Sequence, residues 1–277
     1  MKYWLWVIGF CFGGVALANN EIPDCYGNKE LTALRPNVDT AAIVMLDETT
    51  VFDITQRAAI EKQVATLLRP GTDLRVLRFS AYIAGRYTTP VLSANFAQPL
   101  KDSERMHIKK PTASAFDQCR QIQTIRAEKK LKAVLAEFFE KASPDIAKSD
   151  IVGAIKDAVD TLMPGSRTQH RIFLIVSDML ENSQLTSFYS HGGIRRIDPV
   201  HELAQVEKSG LLTDFLRARV FVLGAGVMPA DPKSRKATAY VDQATISALK
   251  SFWQGYIERS NGQLVEFGQP LLLKPIQ

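Results

Sequence analysis

The stretch Ala41-Ala42-Ile43-Val44-Met45-Leu46-Asp47 is apolar for six residues and then closes on a carboxylate. A strand with one wet face alternates apolar and polar side chains. A strand apolar on both faces must be covered on both, as in a parallel sheet. Two later stretches repeat the pattern. Ile172-Phe173-Leu174-Ile175-Val176 closes on Ser177-Asp178, and Val220-Phe221-Val222-Leu223 closes on Gly224. Buried strands separated by helical patterns predict an α/β fold with a doubly wound, mostly parallel sheet flanked by helices.

The segments between these strands fill in the order. Ile54 to Leu68 carries Ile60, Val64, Leu67 and Leu68 at helical spacing, and Arg69-Pro70-Gly71 stops it. Leu74 to Ile83 reads as a second strand. Tyr87 to Leu92 reads as its hairpin partner, one antiparallel edge strand. Asn95 to Thr112 is polar and reads as a loop. Ala115 to Ala142 predicts a long helix with Ile122, Ile125, Leu131, Val134, Leu135, Phe138 and Phe139 as its stripe, broken by Ser143-Pro144. Ser149 to Met163 predicts a helix N-capped by Ser149 and ended by Pro164-Gly165. Pro199 to Ser209 and Ala244 to Arg259 predict two more. Asn261-Gly262 turns the chain into a last strand, Leu264 to Phe267.

The N-terminus reads as an export signal over residues 1–18. Lys2 gives a positive start, Tyr3 to Leu17 holds no charge, and Ala16 and Ala18 occupy the small-residue positions of a cleavage site. The apolar run is about 15 residues, short of the roughly 20 that span a bilayer as a helix. The alternative is an uncleaved anchor. Phe10 before Cys11 does not fit a lipid-anchor site. The expected organisation is then an N-terminal extension over 19–40, one domain over 41–268 and a tail over 269–277.

Composition excludes some classes. A hydrophobic content of 46% argues against disorder. The net charge of +5 is spread in small clusters, at Lys109-Lys110, Arg195-Arg196 and Lys233/Arg235/Lys236. Solvated loop charge explains each, and export disfavours nucleic acid as a partner. Cys25 and Cys119 remain after the signal. Two thiols in an oxidising compartment suggest one disulfide, tying the extension to the long helix. Closing so large a loop stabilises by roughly 4 kcal/mol in the chain-entropy model. Two separately buried thiols are the alternative.

In parallel α/β sheets, ligands bind at the carboxyl ends of the strands. Asp47 and Asp178 project into one crevice if their strands are neighbours. With Thr49 and Ser149 they make a set of carboxylates and neutral hydroxyls, suited to a hard divalent cation such as Mg²⁺. For a lone aspartate a cap on a turn at the strand end is the favoured reading; for the set together it stands as the alternative.

This set resembles the von Willebrand factor A (vWA) family. Asp47 and Thr49 are similar to the first Asp and Ser of its Asp-x-Ser-x-Ser motif, while Val51 stands in place of the second Ser. Ser149-Asp150-Ile151-Val152-Gly153-Ala154-Ile155 resembles its Thr-x-Leu-x-x-Ala-Leu segment. Ile172 to Asp178 resembles its fourth strand and Asp. The order of elements agrees over Ala41 to Phe267. The resemblance implies a Rossmann-like vWA fold and a metal-ion-dependent adhesion site lacking one oxygen at Val51. Metal ligands would be Asp47, Thr49, Ser149 and Asp178. It also implies an exported protein-binding module, periplasmic or secreted, acting in adhesion or in assembly of an envelope complex. An acidic side chain of the protein partner would complete the metal.

Other readings are weaker. A haloacid-dehalogenase-type phosphatase would use Asp47 as nucleophile, but needs a second acid where Thr49 stands. His191-Gly192-Gly193 resembles an oxyanion loop, but no Gly-x-Ser-x-Gly elbow accompanies it. His107, His170, His191 and His201 show no zinc spacing. Gly224-Ala225-Gly226 is only a fragment of a dinucleotide fingerprint. The loop from Glu181 to Pro199 carries Leu185, Phe188, Tyr189 and Ile194. Apolar side chains there suit an interface, with Phe188, Tyr189 and His191 as partner-binding candidates; packing down onto the sheet is the alternative.

Overall fold

The computed structural model describes residues 22–276, apart from 84–85, 144–147, 164–167, 169, 191–192 and 230–237. The export-signal segment 1–18, the helix stops at Pro144 and Pro164-Gly165, and His191 lie outside the described residues. In chain order the elements are α1 (Lys29–Thr32), β1 (Thr40–Asp47), α2 (Ile54–Ala65), β2 (Thr72–Ile83), β3 (Arg86–Asn95), α3 (Asp102–Arg105), α4 (Lys110–Lys141), α5 (Ile151–Leu162) and β4 (His170–Val176). Then come β5 (Tyr189–Ser190), β6 (Gly193–Ile194), α6 (Pro199–Lys208), β7 (Arg219–Leu223), β8 (Val227–Pro229), β9 (Thr238–Tyr240), α7 (Gln243–Arg259) and β10 (Gln263–Phe267).

The main sheet has six strands in the order β10-β7-β4-β1-β2-β3. All neighbours run parallel except β2 and β3, which pair antiparallel. This is the mostly parallel α/β sheet expected from the buried strands, and the vWA-like fold that the resemblance implies. Each of those strands divides its side chains between two cores. Ile43, Met45, Phe173, Ile175, Val220 and Val222 face α5, α6 and α7. Ala42, Val44, Leu46, Ile172, Leu174, Val176, Phe221 and Leu223 face α2 and α4. The alternation of strand side chains requires this split. β1 and β4 are hydrogen-bonded neighbours, in register from Thr40↔His170 to Leu46↔Val176. The chain leaves β1 toward β2 on one side and returns as β4 on the other, so the crevice sits between them at the switch point.

The structure corrects several local expectations. The polar stretch 95–112 is not all loop: β3 runs to Asn95, α3 lies within it, and α4 begins at Lys110, five positions before Ala115. Pro111 sits in the first turn of α4, where its missing N–H costs nothing. Ile122 and Ile125 are 44% and 65% exposed, off the buried stripe. That stripe instead runs through Phe116, Gln123, Ala127, Leu131, Val134, Leu135, Phe138 and Phe139. Asp150, not Ser149, caps α5, its side chain accepting from the Gly153 N–H at 2.9 Å.

Cys25 and Cys119 form a disulfide, as expected. A small third core surrounds it, built from Tyr26, Leu31, Ala97, Leu100 and Phe116. Gln123 stitches it to the sheet. Its side-chain N–H groups donate to the carbonyls of Pro23 and Asn95, both at 2.8 Å, and its oxygen accepts from Ala97 N–H at 2.9 Å. At the other terminus the tail folds back on α2, where Gln63 bonds Lys274 and Ile276. No helix among the described residues is long and apolar enough to cross a membrane.

Candidate functional site

The site is built on Asp47. It ends β1 on the same face as Ile43 and Met45, and Ser177 follows β4 on the face of Phe173 and Ile175. The two side chains therefore meet. Ser177 Oγ donates to Asp47 Oδ2 at 2.6 Å. The turn after β1 brings Thr49 back, so that its hydroxyl and its N–H donate to Asp47 Oδ1 at 2.6 and 3.0 Å. Ser149 arrives from the start of α5. Its backbone pairs with Asn182, and the next residue, Asp150, bonds Ser80 of β2. So held, Ser149 Oγ lies 3.2 and 3.3 Å from the two Asp47 oxygens. Released from capping, this hydroxyl is free to face the crevice.

Asp178 lies beside this cluster. Its Oδ1 accepts from Leu180 N–H at 2.8 Å, and its own N–H donates to Thr50 Oγ1 at 3.1 Å. Met179 follows at φ 64°, an uncommon conformation for a side chain with a Cβ. It is held there from two sides. Its N–H donates to Ser177 Oγ at 2.9 Å, and its carbonyl accepts from Trp253 Nε1 at 2.9 Å. Gly224 closes the floor at φ 103°; a Cβ there would lie 2.6 Å from the Phe52 ring.

Asp47 is completely buried, and Asp178 nearly so. Burial is the main reason both carboxyls are raised above the ordinary carboxylate range. The Asp47 charge pushes Asp178 higher still, while the hydroxyls of Ser177, Thr49 and Ser149 pull Asp47 back. Among the described residues neither forms an ion pair with a lysine or arginine. Behind them, Glu181 is also fully buried. Its Oε2 accepts from the Ile151 and Val152 N–H groups at the start of α5, both at 3.0 Å. Burial pushes its carboxyl up to about 8. Tyr189 is raised as well, first by burial and then by the charges of Asp178 and Asp47.

All four residues expected to ligate metal, Asp47, Thr49, Ser149 and Asp178, are brought to one crevice. Their donor set fits a hard cation: hydroxyl and carboxylate oxygens, with no imidazole or thiolate. Among the described residues no three His, Cys, Asp or Glu side chains gather as a metal site. Val51, half-buried at the rim, adds no oxygen. Ser177, Thr50 and Glu181 belong to the site but escaped the sequence reading. Ser177 was visible as the residue before Asp178, with a side chain on the Asp47 face by alternation.

The partner-binding expectation is corrected at Phe188. It is fully buried, edge-on to Phe252 at 5.4 Å, with Arg195 over its other side at 5.7 Å. Leu185, Tyr189 and Ile194 also pack against the same core. The loop lies down because it has a buried anchor. Arg195 pairs with Glu202 of α6 at 2.7 Å and donates to Ser187 and Thr186. Beside Ser149 a recess of about 450 Å³ opens, lined by Tyr87, Lys148, Asp150, Ser183, Leu185 and Leu211 among others.

The architecture thus defines an α/β protein of vWA-like type with a hydroxyl-ringed pair of aspartates at the switch point. No family model matches the chain, and no curated protein matches it in sequence. Similar solved structures include an aerotolerance-related membrane protein from Bacteroides fragilis, 13% identical over 82% of this chain and 91% of that one, with a TM-score of 0.36. Conserved hypothetical protein BatB from Bacteroides thetaiotaomicron is 13% identical over 83% and 90%, with a TM-score of 0.37. Manganese-loaded TRAP protein of Plasmodium vivax is 13% identical over 78% and 74%, with a TM-score of 0.32. Likeness this distant carries no function with it.

Proposed function

We infer that this chain is a protein-binding module of vWA type, working outside the cytoplasm, whose contact face is the loop end of the sheet. A divalent cation, Mg²⁺ in the first place, assists it at Asp47, Thr49, Ser149 and Asp178. One observation carries the reading. Two carboxylates are buried side by side, ringed by hydroxyls, and neither has an ion-pair partner among the described residues. Buried charges ordinarily come paired or coordinate a metal. A cation at the rim would supply the missing positive charge, and the hydroxyls of Thr49 and Ser149 would hold it without cancelling its field. Such a cation attracts an acidic side chain of the partner. The Cys25–Cys119 disulfide supports a periplasmic or secreted location, where such bonds persist. A role in adhesion or envelope assembly is the reading this combination favours. A phosphatase using Asp47 is not favoured, because Thr49 stands where its second acid would be needed.

Titration of the purified protein with Mg²⁺ and Mn²⁺ tests the cation. Melting temperature should rise saturably, the rise should be lost in Thr49→Ala, and Val51→Ser should tighten binding by restoring an oxygen. No response to millimolar metal in the parent and in Val51→Ser would sink the cation. The module is tested separately. Capture of envelope proteins should be lost with Val51→Arg at the loop end and kept with Lys250→Glu, an exposed position on α7. Equal capture by both variants would remove the loop end as the contact face.

A further inference from the structure

The opposite end of the sheet holds a second recess that the loop-end site does not use. A cavity of about 320 Å³ is lined by Thr40, Arg69, His170, Ile172 and Arg219. Three of the five are basic and none is acidic. The sheet register explains the gathering. Thr40 pairs with His170 on β4, and Ile172 pairs with Arg219 on β7, so their side chains fall in adjacent rows on one face. Arg69 reaches the same place from the turn after α2, and no described carboxylate lies within ion-pair distance of it. Thr72, the other register partner of Thr40, keeps a fully buried hydroxyl with no hydrogen-bond partner among the described residues. Guanidinium groups present forked donors that match phosphate oxygens.

The basic cavity does not stand alone. Arg219 also lines a neighbouring groove of about 420 Å³, where Phe221, Val265, Leu273 and Pro275 supply an apolar wall. Arg219 lies over the Phe221 ring at 5.3 Å and so borders both spaces. The one carboxylate of the groove, Glu266, is engaged by the Leu273 N–H. Leu273 itself is 91% exposed, although it is a leucine with a neighbouring groove to cover.

We propose that this end of the sheet binds a phosphate-bearing amphiphile, with the phosphate at Arg69, His170 and Arg219 and the apolar part along Phe221, Val265 and Leu273. The ligand is either a membrane lipid headgroup with its chain or a soluble phosphate ester with an apolar body. The full chain is titrated with glycerol 3-phosphate and with lysophosphatidic acid below its micelle concentration, at matched ionic strength. Both should bind, the acyl form at least tenfold more tightly. Arg69→Gln should weaken both by tenfold or more. Leu273→Asp should remove only the acyl advantage. Lys250→Gln, an exposed charge elsewhere, should change neither. Arg219→Gln should match Arg69→Gln, with circular dichroism checking its fold because Arg219 packs on Phe221. Co-sedimentation with phosphatidylglycerol vesicles, lost in Arg69→Gln, assigns a lipid source; binding of the free esters without sedimentation assigns a soluble one. Equal effects of chloride and the phosphate esters, or equal losses in Lys250→Gln and Arg69→Gln, would overturn the proposal.

Discussion

Glu181 shows how much one buried carboxyl can weigh on this fold. It supports the start of α5 by accepting two backbone N–H groups, a favourable place for negative charge. Yet burial dominates, and its carboxyl titrates near 8 instead of the ordinary 4.5. A group raised in the folded state contributes stability that is complete below the unfolded value and fades as pH climbs through the folded one. Between pH 5 and pH 8 the wild type should therefore lose about 3 kcal/mol more than Glu181→Gln, at about 1.4 kcal/mol per pH unit. Urea unfolding at several pH values measures the difference. Parallel curves for the two proteins would show that Glu181 does not carry it. At this scale the sequence exposed Asp47, Thr49, Ser149 and Asp178 through their places after strands and before a helix. Glu181 stayed hidden, because an acidic residue in a loop looks solvated until the loop is seen to fold inward.

Among the elements, the segment from Glu181 to Pro199 decides whether the loop end is soft or firm. Phe188 pins it, fully buried between Phe252 and Arg195. Truncating a buried aromatic removes its transfer energy and leaves a cavity. Phe188→Ala should cost about 3–5 kcal/mol by denaturant unfolding. A cost below about 1 kcal/mol would mean that the segment is not anchored there. Helix limits were only partly legible. The stop at Arg69-Pro70-Gly71 was read because proline and glycine act locally, but α2 ends earlier, at Ala65. The α4 stripe was misread at Ile122 and Ile125. An isoleucine is apolar wherever it stands, and only the neighbours packed against the helix decide which face is covered. Gln123 shows the converse: a polar residue is buried on the stripe because three backbone groups await it.

Over the whole molecule, the disulfide joins a separate small core to the main one. Its loop of 94 positions is long, so breaking it frees much unfolded-chain entropy. The pair Cys25→Ser and Cys119→Ser should lose about 2–5 kcal/mol of stability. Dithiothreitol should lower the melting temperature of the wild type and leave the double variant unchanged. A wild type indifferent to reductant would show that Tyr26, Leu31 and Phe116 hold the extension without the bond.

The sequence by itself determined the α/β class, because strands apolar on both faces alternate with helical segments that can cover both sides of a sheet. It also determined the expected Cys25–Cys119 pairing and the oxygen-only character of the loop-end residues, for these follow from residue type and order. Strand order was left to the tertiary structure. Only the adjacency of β1 and β4 brings Asp47 within reach of Ser177 and beside Asp178, although 130 positions separate Asp47 from Ser177. The burial of Phe188 and the basic recess at Arg69, His170 and Arg219 were decided in the same way. Each depends on which distant segments meet, and no local pattern of residues encodes that meeting.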